Sequence, residues 1–441
     1  MSKRIYLCLA HMSGNEQKYI QEAFDTNWVV PLGPNVNAFE EDLRQFALSK
    51  EQKKYQPILA DVNANVNADA KADTKADTKQ VVALSSGTAA VHLALINCGV
   101  EAGDEVICQS FTFRASANPV AYLGAKPVFI DSEADTWNMS PELLEKAIID
   151  RKAKTGKYPK AIIPVYLYGM PAKIDEILAI AEKYDIPVIE DAAEGLGSRY
   201  KGRVCGTFGK YGVLSFNGNK MITTSGGGAL ICPDNEGKQQ TMFYATQARE
   251  AFPYYQHEHI GYNYRMSNIC AGIGRGQMTV LQDHLDRHRQ IASLYKQAFS
   301  GIAGITFHDN PNADFDSNFW LSTIVLDESL HVKGEEHAYE QAVTGAVGGA
   351  AGVTHQTGKA HTDSEPNRNV EALRMYLDER GIESRPLWKP MHLQPVFKNA
   401  VSYTNGISES LFKRGLCLPS GPMVTDEDVR FIIESIKSAI L

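Results

Sequence analysis

No uncharged apolar run of about 18 residues occurs anywhere in this chain, so nothing in it reads as a membrane-spanning helix. The opening MSKRIYLCLAHMSGNEQ has too short an apolar run for a secretion signal, and the expectation is a cytoplasmic protein. Cysteine is sparse. Seven occur in 441 residues, at Cys8, Cys98, Cys108, Cys205, Cys232, Cys270 and Cys417, with no CxxC pair and no Cys/His cluster. That argues against a disulfide framework and against a metal site, and leaves buried free thiols. Concentrated charge is missing too. The net charge is -8 with no basic tract, which offers no footprint for nucleic acid or a membrane surface. What remains is a globular composition, 44% apolar, long enough for a large domain and a smaller one without covalent staples.

Short apolar runs alternate with helical patterns over the first two thirds. VVAL ending at Leu84, EVIC at Cys108, PVFI at Ile130, AIIPV at Val165 and PVIE at Glu190 read as strands. PELLEKAIIDRKAK and KIDEILAIAEKY between them carry apolar residues at helical spacing. Strand, helix, strand order predicts right-handed crossovers, a mostly parallel sheet covered on both faces, and an α/β class. Past about residue 285 the pattern changes to a strand near FWLSTIVL, a helix near NVEALRMYLDERG and a terminal helix from about Asp426. This predicts a large domain over 1–285 and a smaller α+β domain over 286–441. Two segments read as solvated insertions, about 53–80 with its KADT repeat and about 333–369, rich in Gly, Ala and His.

Three motifs follow strands, where the carboxyl ends of a parallel sheet gather ligands. In SSGTAAVHLAL the turn at Gly87, Thr88 and Ala89 starts a helix whose free N–H groups and dipole suit a phosphate, although an ordinary N-cap accounts for the same residues. In VIEDAAEGLG, Asp191 at a strand end either caps the next turn or pairs with a ring nitrogen. A Coulomb term of about 4 kcal/mol at 4 Å and an effective dielectric near 20 would keep such a nitrogen protonated. In SFNGNKMITTSGGGAL, Asn217-Gly218 is a hairpin signal that makes Lys220 a solvated turn residue. Alternatively, Lys220 beside Gly226-Gly227-Gly228, where backbone approaches a ligand closely, is an amine placed to form an imine. Phosphate turn, ring acid and imine lysine in the order Thr88, Asp191, Lys220 together describe a pyridoxal phosphate site.

SSGTAA, GDEVICQSFTFRASANPV, IEDAAEGLGS, SFNGNK, GGGAL and GYNYRMSNI resemble the nucleotide-sugar aminotransferase family, often called the DegT family, of the fold type I pyridoxal phosphate enzymes. The resemblance covers nearly the whole chain apart from the two insertions. It implies that Lys220 forms the Schiff base with the cofactor, Asp191 binds the pyridine nitrogen, Phe113 stacks on the ring and Glu194 lies near the ring hydroxyl. It further implies that Gly87, Thr88, Ala89 and Ser215 hold the phosphate. Asn263 of GYNYR would reach the phosphate of a neighbouring subunit, giving a homodimer with shared sites. A dehydratase branch of the family carries histidine at the lysine position, and Lys220 argues against it. In VYLYG, Tyr166 stands where many relatives resemble VHLYG; it either touches the ring or packs, and packing is the expectation. His92, among apolar helix neighbours, reads as a structural histidine.

The expected reaction is transamination of a keto-sugar nucleotide with glutamate as amino donor; a protein that merely holds the cofactor is the alternative. GIESRPLWKPMHLQPVF places Arg385, Trp388, Lys389 and His392 on a proline-stiffened loop, cations for a diphosphate and a flat surface for a base, unless Trp388 is core and the cations are solvated. Gly33-Pro34 in NWVVPLGPNVNAFE forms a second rigid loop toward the same ligand. With HMSGNEQKYI and GLCLPSG, these segments resemble the branch that aminates C4 of UDP-linked 4-keto-6-deoxy-N-acetylhexosamines on the way to bacillosamine-type sugars. Another keto-sugar nucleotide, GDP- or dTDP-linked, is the other acceptor to weigh.

Overall fold

A computed structural model describes residues 4–49, 78–339 and 365–441. Its strands in chain order are β1 (Gln80–Leu84), β2 (Glu105–Gln109), β3 (Lys126–Ile130), β4 (Ala161–Ile163), β5 (Ile189–Asp191), β6 (Arg199–Tyr200), β7 (Arg203–Val204) and β8 (Tyr211–Ser215). They continue as β9 (Gly228–Cys232), β10 (Ile305–Phe307), β11 (Phe315–Asp316), β12 (Ser322–Leu326), β13 (Arg385–Pro386), β14 (Val401–Tyr403) and β15 (Gly415–Leu418). The five strands read from the sequence before residue 191 are all formed. So are the helices Pro141–Thr155, Ile174–Lys183, Arg368–Glu379 and Asp426–Ala439. Most of both expected insertions lies outside the described residues.

Two four-stranded ladders, β1-β9-β8-β5 and β14-β3-β2-β4, meet through parallel bridges from Ile162 to Val188 and from Val165 to Asp191. The resulting sheet is parallel from β8 to β14, with β9 running antiparallel to both its neighbours. Strands β1, β2, β3, β4 and β9 are largely apolar and buried because both faces are covered. Alternate residues feed different cores: Val81, Ala83, Ile107, Val128, Ile130 and Ile162 pack on one side, Val82, Leu84, Val106, Cys108, Phe129 and Ile163 on the other. One edge strand comes from far along the chain, since β14 pairs parallel with β3.

A second sheet, β10-β12-β15-β13, is antiparallel. It shares a third core with helices Leu281–Phe299, Arg368–Glu379 and Asp426–Ala439. The last helix is opened by a capping box between Thr425 and Asp428. All seven cysteines are free, and five are buried. Among the described residues no helix is long and apolar enough to cross a membrane.

Candidate active site

The carboxyl ends of β1, β2, β5 and β8 open on one cavity of about 270 Å³. β1 delivers Ser85, Ser86, Gly87 and Thr88, β2 the segment from Thr112 to Ser116, β5 Asp191 and Glu194, and β8 Ser215 and Lys220. Trp320 and Trp388 close it from the C-terminal part of the chain.

Helix Gly87–Asn97 begins at this cavity with Ser86 as N-cap. The Ser86 hydroxyl accepts from the Ala89 N–H at 3.0 Å, so that donor is engaged. The N–H groups of Gly87 and Thr88 have no acceptor within the helix and stand at its positive end. Glycine is required here by packing. A Cβ on Gly228 would lie 2.3 Å from the Gly87 nitrogen, and one on Gly87 would lie 3.1 Å from the Ser215 Cβ. Without side chains at these two positions, the helix start and the Ser215 hydroxyl can share one anion site.

Asp191 is 5% exposed. Ser116 donates its hydroxyl to Asp191 Oδ2 at 2.6 Å, and the Ala193 N–H donates to Oδ1 at 3.1 Å. Burial pushes the Asp191 pKa up, while those two bonds and the charge of Lys220 pull it down. Glu194 is buried as well, its pKa raised by burial and opposed chiefly by Lys220. It accepts from the Tyr168 N–H at 2.7 Å, and its other oxygen lies 3.4 Å from Lys220 Nζ. Lys220 is thus largely buried at the cavity wall, 14% exposed, with Glu194 on one side and the Trp320 ring 4.0 Å away on the other. Phe113 projects into the cavity half exposed, its ring 5.9 Å from that of Trp388.

These residues fit pyridoxal phosphate. A helix start and a serine hydroxyl suit its phosphate. A buried carboxylate, paired only with neutral donors apart from the charge of Lys220, suits a cationic ring nitrogen, and an uncovered aromatic suits a flat ring. The sequence-predicted residues Gly87, Thr88, Phe113, Asp191, Glu194, Ser215, Lys220 and Trp388 line the same cavity. Ala89 lies just behind it.

Other expected residues lie elsewhere. Asn263 is exposed, bridged to Thr246. Gly33, at φ 138°, precedes Pro34 at the start of helix Pro34–Leu48 and lies against Asn268, whose side-chain oxygen accepts from the N–H groups of Asn35 and Val36. Arg385 forms an ion pair with Glu383 at 2.8 Å, Lys389 lies 5.8 Å from the Phe412 ring, and His392 Nδ1 lies 2.6 Å from the Ser110 hydroxyl. None of these lines the cavity. Tyr166 packs: it is fully buried, and its hydroxyl donates to Glu190 away from the cavity. His92 is buried among Tyr122, Tyr262 and Tyr264, and burial lowers its pKa to about 4. Sequence reasoning missed Ser116, a small polar residue in FRASANPV with no spacing signal of its own, and Trp320, which no local signal marks.

A family model described as the DegT/DnrJ/EryC1/StrS aminotransferase family matches residues 65–347 and 336–437. A Bacillus subtilis protein, putative pyridoxal phosphate-dependent aminotransferase EpsN, is 44% identical over 98% of this chain and 95% of its own length. The GDP-perosamine synthase of Escherichia coli O157:H7 is 32% identical over 96% of this chain and 95% of its own. Among solved structures, a DegT DnrJ EryC1 StrS aminotransferase from Brucella abortus superposes with a TM-score of 0.76 at 27% identity, covering 96% of this chain and 95% of that one.

Proposed function

This chain belongs to the DegT/DnrJ/EryC1/StrS aminotransferase family and is a pyridoxal phosphate-dependent sugar aminotransferase of fold type I, and from that premise we propose that it aminates the C4 keto group of a UDP-linked 4-keto-6-deoxy-N-acetylhexosamine. Glutamate is the proposed amino donor, the cytoplasm the proposed location, and sugars for bacterial surface glycans or glycoproteins the proposed destination. The observation carrying the catalytic part is the convergence of Lys220, Asp191, Glu194 and the start of helix Gly87–Asn97 on one cavity.

When bound, the cofactor supplies an aldehyde that accepts an amino group and a cationic ring that stores an electron pair. In the proposed assignment Lys220 holds the cofactor covalently and, when free, moves a proton at the substrate carbon. Asp191 accepts the ring N–H, and Ser116 and Ala193 hold its two oxygens in place for that bond. Gly87, Thr88, Ala89 and Ser215 form the phosphate site, Ala89 through the turn it anchors. Phe113 covers the ring. Glu194 stands beside Lys220, able to accept from its amine. Asn263 is assigned to the site of a second copy in a homodimer, which its exposure permits.

For the acceptor, support comes from Trp388, which brings the 381–397 loop to the cavity. Arg385 and Lys389 are the proposed diphosphate contacts, Arg385 after releasing Glu383; Gly33, Pro34 and His392 are proposed to shape the outer edge. A GDP-linked keto sugar is the second reading, favoured by relatives 29 to 32% identical named GDP-perosamine synthase. Mass spectrometry of the product after parallel incubation of both keto sugars with enzyme and glutamate decides between them. Faster amination of the UDP sugar is the expected result, and faster amination of the GDP sugar overturns the choice.

A further inference from the structure

We propose that the indole face of Trp320 is a built resting place for the Lys220 ammonium whenever that lysine is not bonded to the cofactor, a positioning role that rests on the reading of Lys220 as the attachment lysine. The Nζ atom lies 4.0 Å from the ring centroid and 3.4 Å from Glu194 Oε1, on a side chain only 14% exposed. A cation so largely buried needs partners from the protein. One is a carboxylate, which accepts protons; the other is an aromatic face, which attracts the charge without taking a proton from it.

Trp320 is held as though its face mattered. It is 2% exposed. Its Nε1–H donates to the carbonyl of Asn219, the residue preceding Lys220, at 2.7 Å. Its backbone N–H donates to Asn318 Oδ1 at 2.8 Å. The Asn318 amide in turn donates to the carbonyls of Glu194 and Leu196 at 2.8 and 2.9 Å. One bracket, Asn318 to Trp320, therefore ties the indole to the turn carrying Lys220 and to the turn carrying Glu194. Because the ring edge is spent on Asn219, the face is what remains for the amine. A lysine that alternates between a bonded and a free state needs a free-state site that is specific but weak, and a cation over an aromatic ring has that character.

The test measures trace acetylation of Lys220 by acetic anhydride, mapped by peptide, in the full-length protein freed of cofactor. Only the uncharged amine reacts, so loss of the face should speed labelling. Trp320→Leu should accelerate it about 2- to 30-fold, the range that a cation–π contact of ~0.5–2 kcal/mol gives at 1.36 kcal/mol per tenfold. Trp320→Phe keeps a face but loses the Nε1 bond, and should label more slowly than Trp320→Leu. Equal rates in Trp320→Leu and wild type overturn the proposal. So do equal accelerations in Trp320→Leu and Trp320→Phe, which would assign the effect to the bond with Asn219. If Trp320→Leu does not fold, a ring-fluorinated tryptophan at position 320 weakens the face at nearly constant volume; it must accelerate labelling, and no acceleration overturns the proposal. Failure of the underlying reading is separable, because borohydride would then fix the cofactor of the wild-type holoenzyme to a lysine other than Lys220.

Discussion

Ser116→Ala removes one hydroxyl from a buried pair and should act on chemistry rather than on the fold. Ser116 is 1% exposed and donates to Asp191 Oδ2 at 2.6 Å. Its oxygen can accept from the Thr112 hydroxyl at 3.1 Å, and the Phe113 carbonyl at 3.4 Å is a second, weaker acceptor that competes for its proton. A hydrogen bond to a charged group contributes roughly 1.5–3 kcal/mol. Alanine leaves burial to push the Asp191 pKa upward with one fewer donor opposing it. The neutral acid then persists to higher pH, and it cannot hold a ring nitrogen in its cationic form. The acid limb of kcat/KM for the half-reaction with glutamate should move to higher pH. At a fixed pH on that limb, the loss should be roughly ten- to hundred-fold, the factor equivalent to that bond energy. The assay is a stopped-flow pH profile of cofactor absorbance on mixing with glutamate, for wild type, Ser116→Ala and Ser116→Thr, the last keeping a hydroxyl. Superposable profiles for wild type and Ser116→Ala would refute the reasoning. Equal damage in Ser116→Thr and Ser116→Ala would point to packing instead.

Tyr166→Phe leaves buried Glu190 with the N–H groups of Gly206 and Gly209 but without its hydroxyl partner. It should lower unfolding stability by about 1–3 kcal/mol in urea titrations while leaving turnover nearly unchanged, and a large loss of kcat would show that this ring reaches the chemistry. Burial holds the pKa values of His288 and His308 down, to about 3 and about 4. In the unfolded chain these groups bind protons below their ordinary value near 6.5, so the stability from keeping them neutral is complete above that pH and is lost as pH falls below it. Each should cost roughly 2 kcal/mol by pH 5, and equal urea midpoints at pH 7 and pH 5 would contradict this. For the shared site, inactive Lys220→Ala and Asn263→Ala proteins should regain activity when mixed and allowed to exchange subunits; no recovery despite verified exchange counts against a residue contributed in trans.

Local pattern made the strands before residue 191 legible, because each is a short apolar run buried on both faces and bounded by turns. It was less informative where pairing is remote. β14 is a three-residue segment, VSY, whose strand character comes from docking on β3 some 270 residues earlier, and composition gives no sign of that. The stretch from Ser215 to Leu230 satisfied both of its readings in part. β8 and β9 do pair antiparallel, with Ser215 opposite Gly228, but residues 216–227 join them instead of a tight Asn-Gly turn. The larger excursion is what carries Lys220 into the cavity. The motif residues that meet there are visible because each sits at, or within a few residues of, the carboxyl end of a strand. Ser116 and Trp320 are not, since their partners Asp191 and Lys220 are adjacent only after folding. Arg385 is legible as a cation, whereas its ion pair with Glu383 depends on how the backbone orients the two side chains.

The account depends above all on Lys220 being the residue that binds pyridoxal phosphate. The holoenzyme, reduced with borohydride and digested, should yield one cofactor-bearing peptide, with the adduct located on Lys220 by fragmentation. An adduct on Lys210, Lys389 or any other lysine, or the absence of an adduct from a protein that nevertheless transaminates, would contradict it.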